Sequence, residues 1–235
     1  MHRPDVTQMA RLSRWGRLKL ALAAMRSLAR NFEDPWGPLA FQWALDQGGV
    51  QRVVAQAEQC PEGRALLAER PMFVPKPEEL RRYAPGTFGH HLAAWYQRWG
   101  IPAFARRRTP ESPLEYFMDR LFFTHDVWHA VAGYGTELHE ELRLLCFLLG
   151  QYFSGSAVVA FLIGALQLLR RDGPLPVLGL PFEFVRIFRR SRRARRLAFV
   201  RWETMLDEPV EKVLAFALEP DAPAPRTSSL TPVES

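Results

Sequence analysis

His125-Asp126-Val127-Trp128-His129, with Glu141 following after eleven intervening residues, is the stretch of this chain whose residue types and spacing can do chemistry. On a helix of about 3.6 residues per turn, His125 and His129 point the same way and can hold one ion. Asp126 lies roughly 100° round from His125 and can swing an oxygen toward the same point. Glu141 must return from a second segment. Gly133-Tyr134-Gly135 supplies the reversal, and Thr136 is placed as the next N-cap. Read back at helical spacing, Met118 and Phe122 share the histidines' face, while Glu141 shares a stripe with Leu145, Leu148 and Tyr152. Imidazoles and carboxylates embedded in apolar stripes need partners, and one divalent cation satisfies all four. Nitrogen plus carboxylate donors suit zinc, iron or manganese, in an open catalytic site rather than a closed structural one. A His-x-x-x-His pair alone occurs by chance on many helices. The Asp, the returning Glu and the apolar faces set this stretch apart.

The motif resembles that of a known family. His-Asp-x-x-His, eleven residues, then Glu is the zinc-ligand pattern of the coenzyme Q biosynthesis protein 4 family, and it falls on His125, Asp126, His129 and Glu141 without a change of spacing. The surroundings are similar as well: Tyr116 and Arg120 before the motif, Gly133 and Thr136 after it, Pro85-Gly86-Thr87-Phe88-Gly89 upstream, and Gly63-Arg64, Leu66-Leu67 and Arg70-Pro71 earlier. The resemblance covers roughly residues 15–170. Two departures stand out. Phe122-Phe123 occupies the place of the family's usual charged pair, and Glu140 that of its usual Gly. The resemblance implies zinc as the cofactor and a role in ubiquinone biosynthesis, namely oxidative decarboxylation at ring carbon 1 of a polyprenylated precursor. By resemblance alone His90 or His91 would contact substrate, whereas adjacent histidines about 100° apart on a helix read as polar residues of its first turn. A protein that only binds and presents the lipid precursor remains open beside the enzyme, and so, more remotely, does a metal-dependent hydrolase.

The elements that must position these residues are helical. No stretch alternates convincingly between hairpin turns, so the expected fold class is all-α: a single multi-helix domain over residues 1–220, with a buried metal site between two helices and an apolar lipid groove. At 235 residues the chain can bury a full core without disulfides, and Cys60 and Cys146 read as reduced thiols. Ser112 and Pro113 open the motif helix as N-cap and first helical residue. Asp34-Pro35-Trp36-Gly37-Pro38 reads as a turn, followed by a helix over 39–59 interrupted at Gly48-Gly49. Arg106-Arg107-Arg108 reads as a solvated basic loop, Gly173 to Pro181 as a loop, Asp207-Glu208-Pro209 as the start of a last short helix to Leu218, and 221–235 as a disordered tail.

Two stretches point to a membrane surface. Leu144 to Leu169 is apolar and long enough to span a bilayer. Its first half must nevertheless pack on protein to bring Glu141 to the histidines, and Gly150, Gly155 and Gly164 suggest close packing or a break into two helices. Arg186 to Arg201 carries eight arginines and no acidic residue, within a net charge of +6. This composition fits anionic headgroups, and no nucleic-acid-binding motif accompanies it. The arginine-rich first helix, with Leu12, Trp15, Leu18, Leu22 and Met25 on its apolar side, can dock on the core or lie on a bilayer. The expected partners are a polyprenylated quinone precursor or other isoprenoid lipid, the membrane surface, other quinone-biosynthesis proteins and a second copy of the chain, with no nucleic acid. The expected location is the cytoplasmic face of a bacterial inner membrane, or the matrix side of the mitochondrial inner membrane in a eukaryote.

Overall fold

The structure, a computed structural model, describes residue 9 and residues 12–30, 36–101 and 109–224. The expectations for Asp34-Pro35, for Arg106 to Arg108 and for the tail from residue 225 lie outside the described residues. Among the described residues the chain forms twelve α-helices and no strand. An isolated β-bridge joins Thr87 and Pro209, flanked by hydrogen bonds from Phe88 N to Glu208 O and from Val210 N to Gly86 O. The all-α expectation is borne out.

The first helices build a base. α1 (Arg14–Arg30) lays Leu20, Ala21 and Ala24 on α2 (Trp36–Leu45), leaving Trp15, Leu18 and Leu22 exposed. The expected turn at Trp36 to Pro38 is instead the start of α2. The break expected at Gly48-Gly49 falls at Asp46, which separates α2 from α3 (Gln47–Gln59). Asp46 explains the shift: its buried carboxylate accepts from the Ser156 backbone N–H and from the Ser154 and Ser156 hydroxyls, 110 residues away in the case of Ser156. It thereby caps a distant helix, which no local pattern announces. α4 (Pro61–Glu69) and the single turn α5 (Pro77–Leu80) lead to α6 (Phe88–Trp99), which Thr87 opens by accepting from His90 N.

α7 (Pro113–Phe123) begins as expected, with the Ser112 hydroxyl accepting from Glu115 N and Pro113 at the first position. It does not run on through the histidines. At Thr124 the backbone turns to φ −96°, ψ 3°, and α8 (His125–Ala132) starts afresh. The Thr124 hydroxyl donates to the Arg120 carbonyl at 2.8 Å, a back-bond of the kind that bends helices. α7 is held by Arg120, fully buried, which donates to the carbonyls of Pro71, Ala198 and Val200 and pairs with Glu203. Tyr116 donates to the same Pro71 carbonyl. These two motif neighbours are therefore structural.

Beyond the motif, α9 (Leu138–Gln151) is crossed by α10 (Gly155–Asp172) and α11 (Pro174–Arg193). The long apolar stretch thus breaks in two at Tyr152 to Ser154, and no helix among the described residues is long and apolar enough to cross a membrane. Gly164 lets Leu142 approach: a Cβ there would lie 2.7 Å from Leu142 Cδ2. Gly150 does the same for Ser191, whose hydroxyl donates to Phe147 O. Of the loop expected over 173–181, all but the capping Gly173 is helix. Pro174 and Pro176 sit in the first turn, where N–H groups have no helical partner, so only Pro181 removes a bond, and burial of Leu180, Ile187 and Ser191 outweighs it. Two 3-10 turns, Leu197–Phe199 and Trp202–Thr204, lead to α12 (Val210–Leu218), as expected for the last helix.

Candidate metal centre

α8 and the first turn of α9 bring three of the four motif residues together. One ligand atom each from His125, His129 and Glu141 lie within 4.8 Å of one another. The reversal that permits this is Gly133, at φ +80°, a left-handed conformation that glycine adopts without strain. The Gly133 and Tyr134 N–H groups both bond the His129 carbonyl, closing α8. The next N-cap is Glu137 rather than Thr136. The helix therefore begins one residue later than the sequence suggests, and Glu141 still points back.

His129 decides what the cluster is for. It is 1% exposed, and neither ring nitrogen has a hydrogen-bond partner, although Nε2 lies 3.3 Å from Glu141 Oε1. A buried imidazole with both nitrogens orphaned is costly unless something outside the chain satisfies it. A divalent cation fits that need, and two histidines with a carboxylate are a donor set that suits zinc. His125 is only partly covered and turns its ring across His129, with centroids 4.9 Å apart. Burial opposes its charged form, yet Asp126 as hydrogen-bond partner and the nearby charges of Glu141 and Asp126 hold its pKa above the ordinary value.

Asp126 stands apart from the three. Its Oδ1 lies 3.5 Å from His125 Nδ1, and its Oδ2 accepts from the Tyr96 hydroxyl at 3.3 Å. Burial, then the charge of Asp126, pushes the Tyr96 phenol far above its usual pKa, so it stays protonated and donates. The preceding residue, Trp95, stacks on His129 with ring centroids 5.6 Å apart and anchors its indole N–H on the Tyr134 carbonyl. Sequence reasoning missed this aromatic pair. Its signal was present in part, since His91 and Trp95 share one face of α6 at helical spacing. His91 Nε2 sits 3.3 Å from Ala130 O, against the backbone of α8, so its contact is structural.

Nearby polar groups brace the frame. Glu183 on α11 binds Arg143 and His139 of α9. Cys60 and Cys146 are free thiols, and burial raises Cys146 to about 12, so it is unreactive at neutral pH. Two cavities of about 310 and 300 Å³ lie away from the histidines, one lined by Arg17, Leu45 and Gln47, the other by Phe73, Lys76 and Tyr83. Neither is the expected apolar lipid groove.

Fold and site define an all-α protein with a histidine–carboxylate cluster shared between two successive helices. Residues 44–217 match the model of the coenzyme Q (ubiquinone) biosynthesis protein Coq4 family. The chain belongs to that family. It is 29% identical over 161 residues to a mitochondrial ubiquinone biosynthesis protein COQ4 homolog of Trypanosoma brucei brucei, covering 65% of this chain and 64% of the relative. It is 27% identical over 158 residues to the mitochondrial COQ4 protein of Coprinopsis cinerea, covering 64% and 53%. The chain thus matches between about half and two thirds of the length of these curated relatives. The crystal structure of a candidate ubiquinone biosynthesis protein from Nostoc punctiforme shares the fold, with a TM-score of 0.69 at 24% identity over 86% of this chain and 96% of that one.

Proposed function

We propose that the chain serves ubiquinone biosynthesis as a metal-dependent protein at a membrane surface, acting in oxidative decarboxylation at ring carbon 1 of a polyprenylated precursor. The observation that carries this reading is His129, buried with both nitrogens orphaned beside His125 and Glu141. These three residues hold the cation, and Asp126 completes the set as a fourth donor or as the carboxylate that orients His125. When bound, a divalent cation, most suitably zinc, supplies Lewis-acid stabilisation of the negative charge left on the ring as carbon dioxide departs. Around the cluster, Trp95, Val127 and Trp128 are buried and keep bulk water from His129, which strengthens the charge interactions there. Zinc takes no redox step, so the incoming oxygen requires a separate oxidant. The isoprenoid tail runs along the apolar surfaces of α9, α10 and α11.

The test uses purified chain loaded with metal, oxygen and a short-tailed precursor bearing the ring carboxylate. Release of carbon dioxide, lost in Glu141→Ala, is the expected result. Metal-loaded protein that binds the precursor and releases none would assign it to presenting the lipid for another enzyme.

A further inference from the structure

Among the described residues, the outward faces of α10 and α11 carry most of the large apolar side chains left in water. Leu162 and Leu166 on α10 are 63% and 45% exposed. On α11, Leu175, Leu178 and Phe182 are 80%, 66% and 82% exposed, and Val185 is 46% exposed. Both helices pack on α9 and on each other, and these stripes are the parts of them left uncovered by that packing. At about 100° per residue, Leu175, Leu178, Phe182 and Val185 fall on one stripe of α11, and Arg186, Arg189 and Arg193 continue it. These three arginines are exposed. Arg192, beside this stripe, is exposed as well. The remaining four basic residues of the run reach protein groups: Arg190 to Ala132 O, Arg195 to Ala222 O, Arg196 to Gln151 O and Arg201 to Glu69. The eight arginines are therefore two sets, one structural and one left facing out beside an apolar surface.

We propose that this face is the surface by which the protein lies on a bilayer containing anionic lipids, with α10 and α11 in the plane of the interface. This rests on the reading above that the protein works at a membrane, and it adds the face and the lipid charge. The apolar half of the α11 stripe is about 15 Å long at 1.5 Å per residue, the scale of a helix lying in the headgroup and acyl boundary. The arginines beside it then meet lipid phosphates. Arg170, Arg171 and Asp172 are exposed at the corner between the two helices, which opposes insertion corner first and favours the in-plane pose. A second copy of the chain is the poorer occupant. Neither stripe offers a carboxylate, since Glu183 faces Arg143 and His139, so self-contact would bury cations without a counter-charge. In this pose α9, which carries Glu141, is the next layer beneath the lipid.

The experiment is flotation of the full chain with vesicles of phosphatidylcholine alone, and with roughly a third phosphatidylglycerol added, near physiological salt. The intact chain should float with the anionic vesicles and much less with the neutral ones. Leu178→Glu with Phe182→Glu should lower binding by at least about tenfold. Arg186→Gln, Arg189→Gln and Arg193→Gln should each lower it by about fivefold, whereas Arg98→Gln, on α6 outside this layer, should not. Zinc content and helicity should be unchanged throughout, so failure here is separable from failure of the metal site. Equal binding to both vesicle types, or wild-type binding by the α11 variants, would overturn the proposal. It would also be overturned if the double glutamate variant separated a dimer while leaving lipid binding intact.

Discussion

Stripping the protein of metal and titrating zinc back gives a stability change that the geometry of His129 makes calculable. In the metal-free protein both nitrogens of a side chain 1% exposed lack partners, a cost of about 1–3 kcal/mol for the orphaned group. Zinc bound by the folded chain alone adds RT ln(1 + [L]/Kd), which is about 4 kcal/mol at free zinc 1,000-fold above Kd. For a chain of 235 residues each kcal/mol moves the melting temperature by about 2–4 °C, so the expected rise is about 8–16 °C. His129→Ala should abolish that rise. Its own metal-free stability should change much less, because loss of the ring stacked on Trp95 is offset by removal of the orphaned nitrogens. The assay is a melting curve by circular dichroism in chelator-stripped protein with zinc buffered at set free concentrations. An equal zinc response in His129→Ala, or none in the intact chain, would refute the assignment of these residues to a cation.

Two further outcomes check the frame around the cluster. Tyr96→Phe keeps the ring and removes the hydroxyl that holds Asp126 Oδ2, so zinc affinity by chelator competition should fall about ten- to a hundredfold and the cobalt-substituted spectrum should change, with helicity intact; unaltered affinity would make the contact incidental. Arg143 above all, with His139, holds Glu183 below the ordinary glutamate value of 4.5. A carboxylate depressed in this way stabilises the fold fully above the ordinary value and loses that contribution as pH falls through the lowered one. Glu183→Gln should therefore flatten the fall of melting temperature between roughly pH 5 and pH 3, and an unchanged acid limb would count against the pair.

What the sequence made legible was local, and what it hid depends on contacts distant along the chain. His125 and His129 fall on one face because a helical turn puts them there, and Gly133 announces the reversal that returns Glu141. The partner of Asp126 is a hydroxyl 30 residues upstream, and nothing near Asp126 indicates it. The same holds for the break at Asp46, which caps the start of α10 across the fold. The proline-rich start of α11 misleads because turn chemistry is read locally, whereas the helix is held by Leu180, Ile187 and Ser191 packing inward. The arginine run shows the limit most plainly. By composition alone the eight residues look alike and seem to surround a helix. Once α11 ends at Arg193 and Arg190, Arg195, Arg196 and Arg201 find protein partners, Arg186, Arg189 and Arg193 remain outward in line with Phe182, with Arg192 exposed beside them. Charge density pointed to a membrane, and only packing tells which cations are left to meet it.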